Sequence, residues 1–362
     1  MTITTRKRAL GGLALLGASA LVLAGCAAAP EEAPEETAAL DFTPCIVSGT
    51  GGWDDASFNQ LALQGFEEAT AELGVEGVAV ESQSESDYQP NIESVIAEGC
   101  DLVVTVGFDL APATVTAALA NPDVSFALVD DAADTDFDGA KDAENIKPIL
   151  FNTAEAAFLA GYASAARTTT GILGTYGGMN FPTVAIFMDG YAQGVDYYNE
   201  ENGTNVELRG WDRAAQDGTF IGGFAPGVES LNAAQNLLDL GADVILPVGG
   251  GIYISAAEAI RDSGDDSVVL LGVDADFTVT DPSVADIVYT SILKQISVAV
   301  YDVILEASGG APSFDPYIGT LENGGVGIAP FYDFADPEVE AAIEELAAAI
   351  IAGEIEVESY LN

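Results

Sequence analysis

From about residue 42 onward, short apolar runs alternate with longer stretches whose apolar residues recur every three or four positions. In the first part of the chain, Cys45-Ile46-Val47, Val75 to Val80, Leu102 to Val106 and Ser125 to Val129 read as strands. Phe58 to Leu73, Tyr88 to Glu98 and Ala111 to Ala120 read as helices, the last with Pro112 in its first turn. The second part repeats the pattern. Strands are expected at Ile149 to Phe151, from Gly171 into a glycine turn ending at Met179, and at Val206 to Trp211, Asp243 to Pro247, Val268 to Val273, Ile287 to Leu293 and Gly325 to Ala329. Helices are expected at Thr153 to Arg167, Val228 to Leu240, Ser297 to Ala307 and Pro337 to Ile351. Strands alternating with helices in short units predict an α/β fold with parallel sheets.

In such sheets ligands bind beyond the carboxyl ends of the strands. The stretch Gly51-Gly52-Trp53-Asp54-Asp55-Ala56-Ser57-Phe58-Asn59 is one such strand-turn-helix junction. Ser57 followed by Gln60 fits a capping box, so the helix is expected to start there. Phe58 then offers a π-face and Asn59 an amide in the first helical turn; the plainer reading is a cap beside a core phenylalanine. Other strand ends carry Gly107, Asp130, Gly250 and Asp274. Asp274 is an acceptor-only group suited to two sugar hydroxyls, and Gly250 leaves backbone N–H groups open. Lys294 ends an apolar run and is expected in the cleft, paired with Asp274; a purely structural ion pair is the alternative.

Charge narrows the partners. The chain has 58 acidic and 10 basic residues and no histidine. Setting aside Arg6, Lys7 and Arg8 leaves seven basic residues, a balance of −51. That field repels nucleic acid and anionic lipid, and favours a neutral or cationic small molecule. Without histidine there is no Ser-His-Asp triad, Cys-His pair or histidine-ligated metal. No phosphate-binding P-loop motif occurs. No catalytic residue, metal ligand or cofactor is expected.

The first 25 residues read as an export signal: a basic start, then an apolar run from Ala9 to Ala24. Leu23-Ala24-Gly25-Cys26 looks like a lipobox, making Cys26 the lipidated residue. The Ala, Pro and Glu composition of 26–41 is that of a disordered tether. The protein is therefore expected on the extracytoplasmic face of the cell membrane, where disulfides are permitted. Cys45 and Cys100 each precede a strand, and a 2-1-3 strand order makes those strands neighbours. A Cys45–Cys100 disulfide follows; two buried thiols are the other reading.

Gly-Gly-x-Asp-Asp-x-Ser-Phe-Asn-Gln, at positions 51–60, resembles the signature of the basic membrane protein family, the nucleoside-binding lipoproteins of bacterial ABC importers. The resemblance continues through Val106-Gly107-Phe108, through Phe126 to Asp130, and through Gly171 to Gly194, covering about residues 45–330. It implies a periplasmic-binding-protein type I architecture: two Rossmann-like lobes, 42–150 plus 295–312 and 151–294 plus 313–362, joined by a three-strand hinge. It also implies a monomer that captures a nucleoside, most simply a purine, and delivers it to an ABC permease. Phe58 and Phe224 would stack on the base, Asn59 and Asp130 would bond its edge, and Gly250, Asp274 and Lys294 would hold the ribose. One position departs from the family. Gly49 stands where members carry a base-reading aspartate, which opens pyrimidine nucleosides as ligands. The competing readings are the same fold holding a free sugar, a carboxylate-dependent nucleoside or glycoside hydrolase, and a surface adhesion module.

Overall fold

The computed structural model describes residues 40–136 and 138–361. The expected leader, Cys26 and all of the tether except its last two residues lie outside the described residues.

The chain opens with β1 (Pro44–Ser48), α1 (Phe58–Leu73), β2 (Val78–Val80), α2 (Tyr88–Ala97), β3 (Leu102–Val106), α3 (Ala111–Ala120), β4 (Ser125–Val129) and β5 (Ile146–Phe151). The strands pair in parallel in the order β2-β1-β3-β4-β5. Every residue of β1 and β3 is buried. A parallel sheet is covered on both faces, which is why these strands are apolar runs and not alternating ones. Cys45 on β1 lies opposite Val103 of β3, and the disulfide to Cys100 is formed, with Cα atoms 6.0 Å apart.

The chain then crosses to a second sheet. α4 (Thr153–Arg167) is followed by β6 (Ile172–Gly177), α5 (Pro182–Asn202), β7 (Glu207–Arg209), a small hairpin of β8 (Trp211–Asp212) and β9 (Asp217–Gly218), α6 (Val228–Asp239), β10 (Val244–Val248), α7 (Tyr253–Ser263), β11 (Val269–Asp274), α8 (Phe277–Thr280) and β12 (Val288–Lys294). The order β7-β6-β10-β11-β12 repeats that of the first sheet, again in parallel. α4 packs on α5 so tightly that a Cβ on Gly161 would lie 2.1 Å from the Tyr191 carbonyl oxygen.

After β12 the chain returns. α9 (Ile296–Ser308) packs on α1, and β13 (Tyr317–Gly319) pairs in parallel with β5 of the first sheet. β14 (Val326–Ile328) then joins β12 in the second sheet, antiparallel, and α10 (Pro337–Ile351) covers α4. Three segments, at 151–153, 294–296 and 319–326, thus connect two α/β halves.

Two expectations change. The resemblance places residues 313–362 wholly in the second half, but β13 covers the open edge of β5, whose backbone groups otherwise lack partners. The single strand expected from Val206 to Trp211 is broken into β7 and β8 at Gly210, whose φ of +96° interrupts the pairing. Among the described residues no helix is long and apolar enough to cross a membrane.

Candidate functional site

In each sheet the strand order reverses between its first and third strands, β1 and β3 in one and β6 and β10 in the other. Such switch points open a crevice beyond the strands. Here the crevices face a common cavity of about 620 Å³, counted out to its mouth. All seven predicted ligand-binding residues line it: Phe58, Asn59, Asp130, Phe224, Gly250, Asp274 and Lys294.

Lys294, the last residue of β12, is buried at 3% exposure. Its Nζ donates to Asp130 Oδ2 at 2.6 Å and lies 3.8 Å from Asp274 Oδ1. The expected Lys294–Asp274 pairing is therefore the longer of two, a charge contact without a hydrogen bond. Asp130, expected on a base edge, instead holds the ammonium. The two carboxylates occupy equivalent places in the two halves, one just past β4 and the other ending β11. Both have left-handed backbones, at φ +67° and +65°. That conformation is costly for aspartate, and it turns both side chains toward one cation. Burial pushes the Asp274 carboxyl up to about 6, opposed first by the Lys294 charge. Burial also raises Asp130, against the attraction of Lys294.

The capping box is not formed. Asp55 caps α1, accepting from the backbone N–H groups of Ser57, Asn59 and Gln60 at 3.0–3.1 Å. Ser57 faces the other half instead, its Oγ 3.0 Å from both the Val273 carbonyl and Asp274 Oδ2. Asp55 also accepts from Asn59 Nδ2 at 3.2 Å, which fixes the orientation of that amide. Asn59 Oδ1 is then buried without a hydrogen-bond partner.

Aromatic rings complete the enclosure. Lys294 Nζ lies 5.3 Å from the centroid of Phe58 and 5.1 Å from that of Phe187, so both rings face the cation. Phe224 packs over Gly178 and Gly249, where a Cβ would come within 2.6 Å of its ring. Phe181 bridges Phe224, at 6.0 Å, and Phe108, at 4.9 Å. Phe108 follows β3 and Phe181 precedes α5, so this contact joins the two halves across the cleft.

Sequence reasoning missed Asp55, Asp109, Phe181 and Phe187, all of which line the cavity. Asp109 and Phe181 had a usable signal, since each lies just past the end of a strand. Asp55 had one too, two residues before a plausible cap. Phe187 reads as one more apolar residue of α5. Outside the cleft, Asp134, Asp136 and Asp138 bring carboxylates together on a surface loop, where backbone N–H groups of the same loop bond them.

Residues 45–360 match the family described as ABC transporter substrate-binding protein PnrA-like. The chain belongs to that family. The ABC transporter nucleoside-binding protein BmpA of Lactococcus lactis subsp. cremoris is 29% identical over 370 residues, spanning 98% of this chain and 99% of the relative. Basic membrane protein A of Borreliella burgdorferi is 31% identical over 255 residues, 70% of this chain and 68% of its own. Among solved structures, an ABC transporter solute-binding protein from Aeropyrum pernix K1 superposes with a TM-score of 0.74 at 26% identity, covering 89% of this chain and 94% of that one. The two-half architecture and the cavity between the halves are thus those of a PnrA-like substrate-binding component.

Proposed function

We propose that this PnrA-like protein captures a nucleoside between its two halves and delivers it to an ABC importer from a lipid anchor at Cys26. The observation that carries the reading is the pairing of ring faces with a buried Lys294–Asp274 contact in one cleft between the halves. A flat base fits between the Phe58 and Phe224 walls, each face contributing about 1 kcal/mol beyond burial. A ribose hydroxyl beside the Lys294–Asp274 pair, at hydrogen-bond distance from both, accepts from Nζ and donates to the carboxylate. A free base leaves that polar pair unanswered, and a free sugar leaves the rings bare. The lobes close as a hinge about the three crossings, and the permease recognises the closed form.

No covalent step is part of this reading. The protein acts as a monomeric receptor on the extracytoplasmic face of the membrane. The relative from Lactococcus, named a nucleoside-binding protein, supports the ligand class.

A thermal-shift panel of nucleosides, free bases and free sugars tests the reading. Ligand bound only by the folded state raises stability by mass action, by about 2.7 kcal/mol at a hundredfold excess over Kd, and the melting temperature rises with it. Nucleosides are expected to give the largest shifts. Free sugars shifting the protein more than nucleosides would overturn the ligand class, and release of free base would overturn the absence of chemistry.

A further inference from the structure

Two acceptor oxygens face the cavity without a partner on the far side. One is Asn59 Oδ1, on a residue 4% exposed, whose amide nitrogen is already committed to Asp55. The other belongs to Asp109, just past the end of β3. Its Oδ2 accepts from the buried Tyr88 hydroxyl, and that hydroxyl in turn accepts from Thr50 N–H at 3.2 Å. Tyr88 therefore donates toward Asp109 and cannot reverse. Besides Tyr88, the Asp109 carboxylate is met only by its own backbone N–H, and no ion pair among the described residues neutralises it, so acceptor capacity remains for the cavity that the residue lines.

The other three cavity carboxylates differ. Asp55 caps α1, and Asp130 and Asp274 share Lys294. Burial raises the Asp109 carboxyl, and the Tyr88 hydrogen bond opposes the rise.

The space between the two acceptors is kept clear. A Cβ on Gly49 would lie 2.8 Å from the Val106 carbonyl oxygen and 3.8 Å from Asn59 Oδ1, and one on Gly107 would lie 2.9 Å from Asp109 Oδ1. Both would lie 3.6 Å from the same Leu110 Cδ1. The two acceptors thus line the same cavity near one methyl group, beside two positions that carry no side chain. Carboxylate and amide oxygens only accept, so a ligand edge meeting them must donate.

The geometry points to Asp109 as the residue that sets base specificity, selecting nucleosides whose ring edge carries adjacent N–H donors, as guanine does at N1 and N2, over those with a ring acceptor there. This rests on the nucleoside reading above. Tyr88 is its positioning residue, holding the carboxylate from behind.

Calorimetric titration of the unaltered protein with guanosine, 1-methylguanosine and adenosine tests the idea without a mutation. A charge-assisted hydrogen bond predicts guanosine tighter than either of the others by about tenfold or more. Asp109→Asn still accepts from Tyr88 but turns an NH₂ toward the cavity. It should weaken guanosine by about tenfold and tighten adenosine, reversing the order. Equal binding of guanosine and 1-methylguanosine overturns the inference and leaves the nucleoside reading standing. So does an equal change for guanosine and adenosine in the variant. Failure of every nucleoside to bind overturns both.

Discussion

Replacing Lys294 by methionine keeps an apolar stem and removes the cation that, among the described residues, sits between Asp130 and Asp274. The side chains of the three residues are 2%, 7% and 5% exposed, so solvent cannot take over the role of the ammonium. Removing one partner of a buried pair costs about 3–5 kcal/mol, because the other charge is left uncompensated. For a protein of this size each kcal/mol moves the melting temperature by about 2 °C, so a fall of roughly 6–10 °C is expected near neutral pH. The pH dependence is the sharper readout. Burial pushes the Asp274 carboxyl up to about 6, above its ordinary value of 3.8. A carboxyl raised on folding lowers stability above its folded pKa and costs nothing below its unfolded one. For Asp274 alone that is roughly 3 kcal/mol, present above about pH 6 and gone below about pH 4. Without Lys294 both carboxyls rise further. The deficit of the variant against the parent should therefore be largest at about pH 8 and shrink toward about pH 4.5. Adding Asp130→Asn to the methionine variant should recover much of the loss. Scanning fluorimetry across this range provides the measurement. A deficit of equal size at both ends, or one below about 1 kcal/mol at pH 8, shows that the cluster is not an uncompensated buried pair once the ammonium is gone.

Other outcomes follow from the same geometry. Asp55→Ala removes the acceptor of three backbone N–H groups at the start of α1 and should lower stability by about 1–2 kcal/mol or more in urea titration. Replacing Cys45 and Cys100 by serine opens a link across 55 residues of chain and should cost about 2–5 kcal/mol, with reductant then having no further effect on the melting curve. Gly161→Val drives side-chain atoms into the Tyr191 carbonyl, which lies 2.1 Å from where a Cβ would begin. It should destabilise by at least about 1–3 kcal/mol, whereas the same change at half-buried Gly327 in β14, which has no left-handed backbone and nothing within 4 Å of a Cβ, should lack that steric penalty.

Much of this architecture could be read from periodicity, because parallel strands buried on both faces leave apolar runs that helical stretches do not. α4 and α10 have the bounds expected of them, since Pro337 starts α10 and the apolar spacing fixes α4. The position of the site was legible for the same reason: polar residues just past apolar runs lie at strand ends. Pairings were harder to foresee. Lys294 is near two carboxylates at equivalent places in the two halves, and the first residue of each candidate pair says nothing about which lies at 2.6 Å and which at 3.8 Å. Ser57 followed by Gln60 satisfied a local rule, yet Asp55 outcompeted it as a cap by offering a charged acceptor to three N–H groups. Ser57 was then free to reach Asp274 across the cleft. β13 was placed in the wrong half because Tyr317–Gly319 is too short to carry a pattern, and its partner is decided by which strand edge stands open.

Calorimetric titration of a ribonucleoside into the protein, beside an equimolar mixture of its free base and ribose, bears most directly on a cavity built for base and sugar together. One nucleoside should bind per chain, with a negative heat-capacity change from burial of the base between Phe58 and Phe224, while the mixture gives no saturable heat. Saturable binding of ribose alone, with no added affinity from the base, would contradict it.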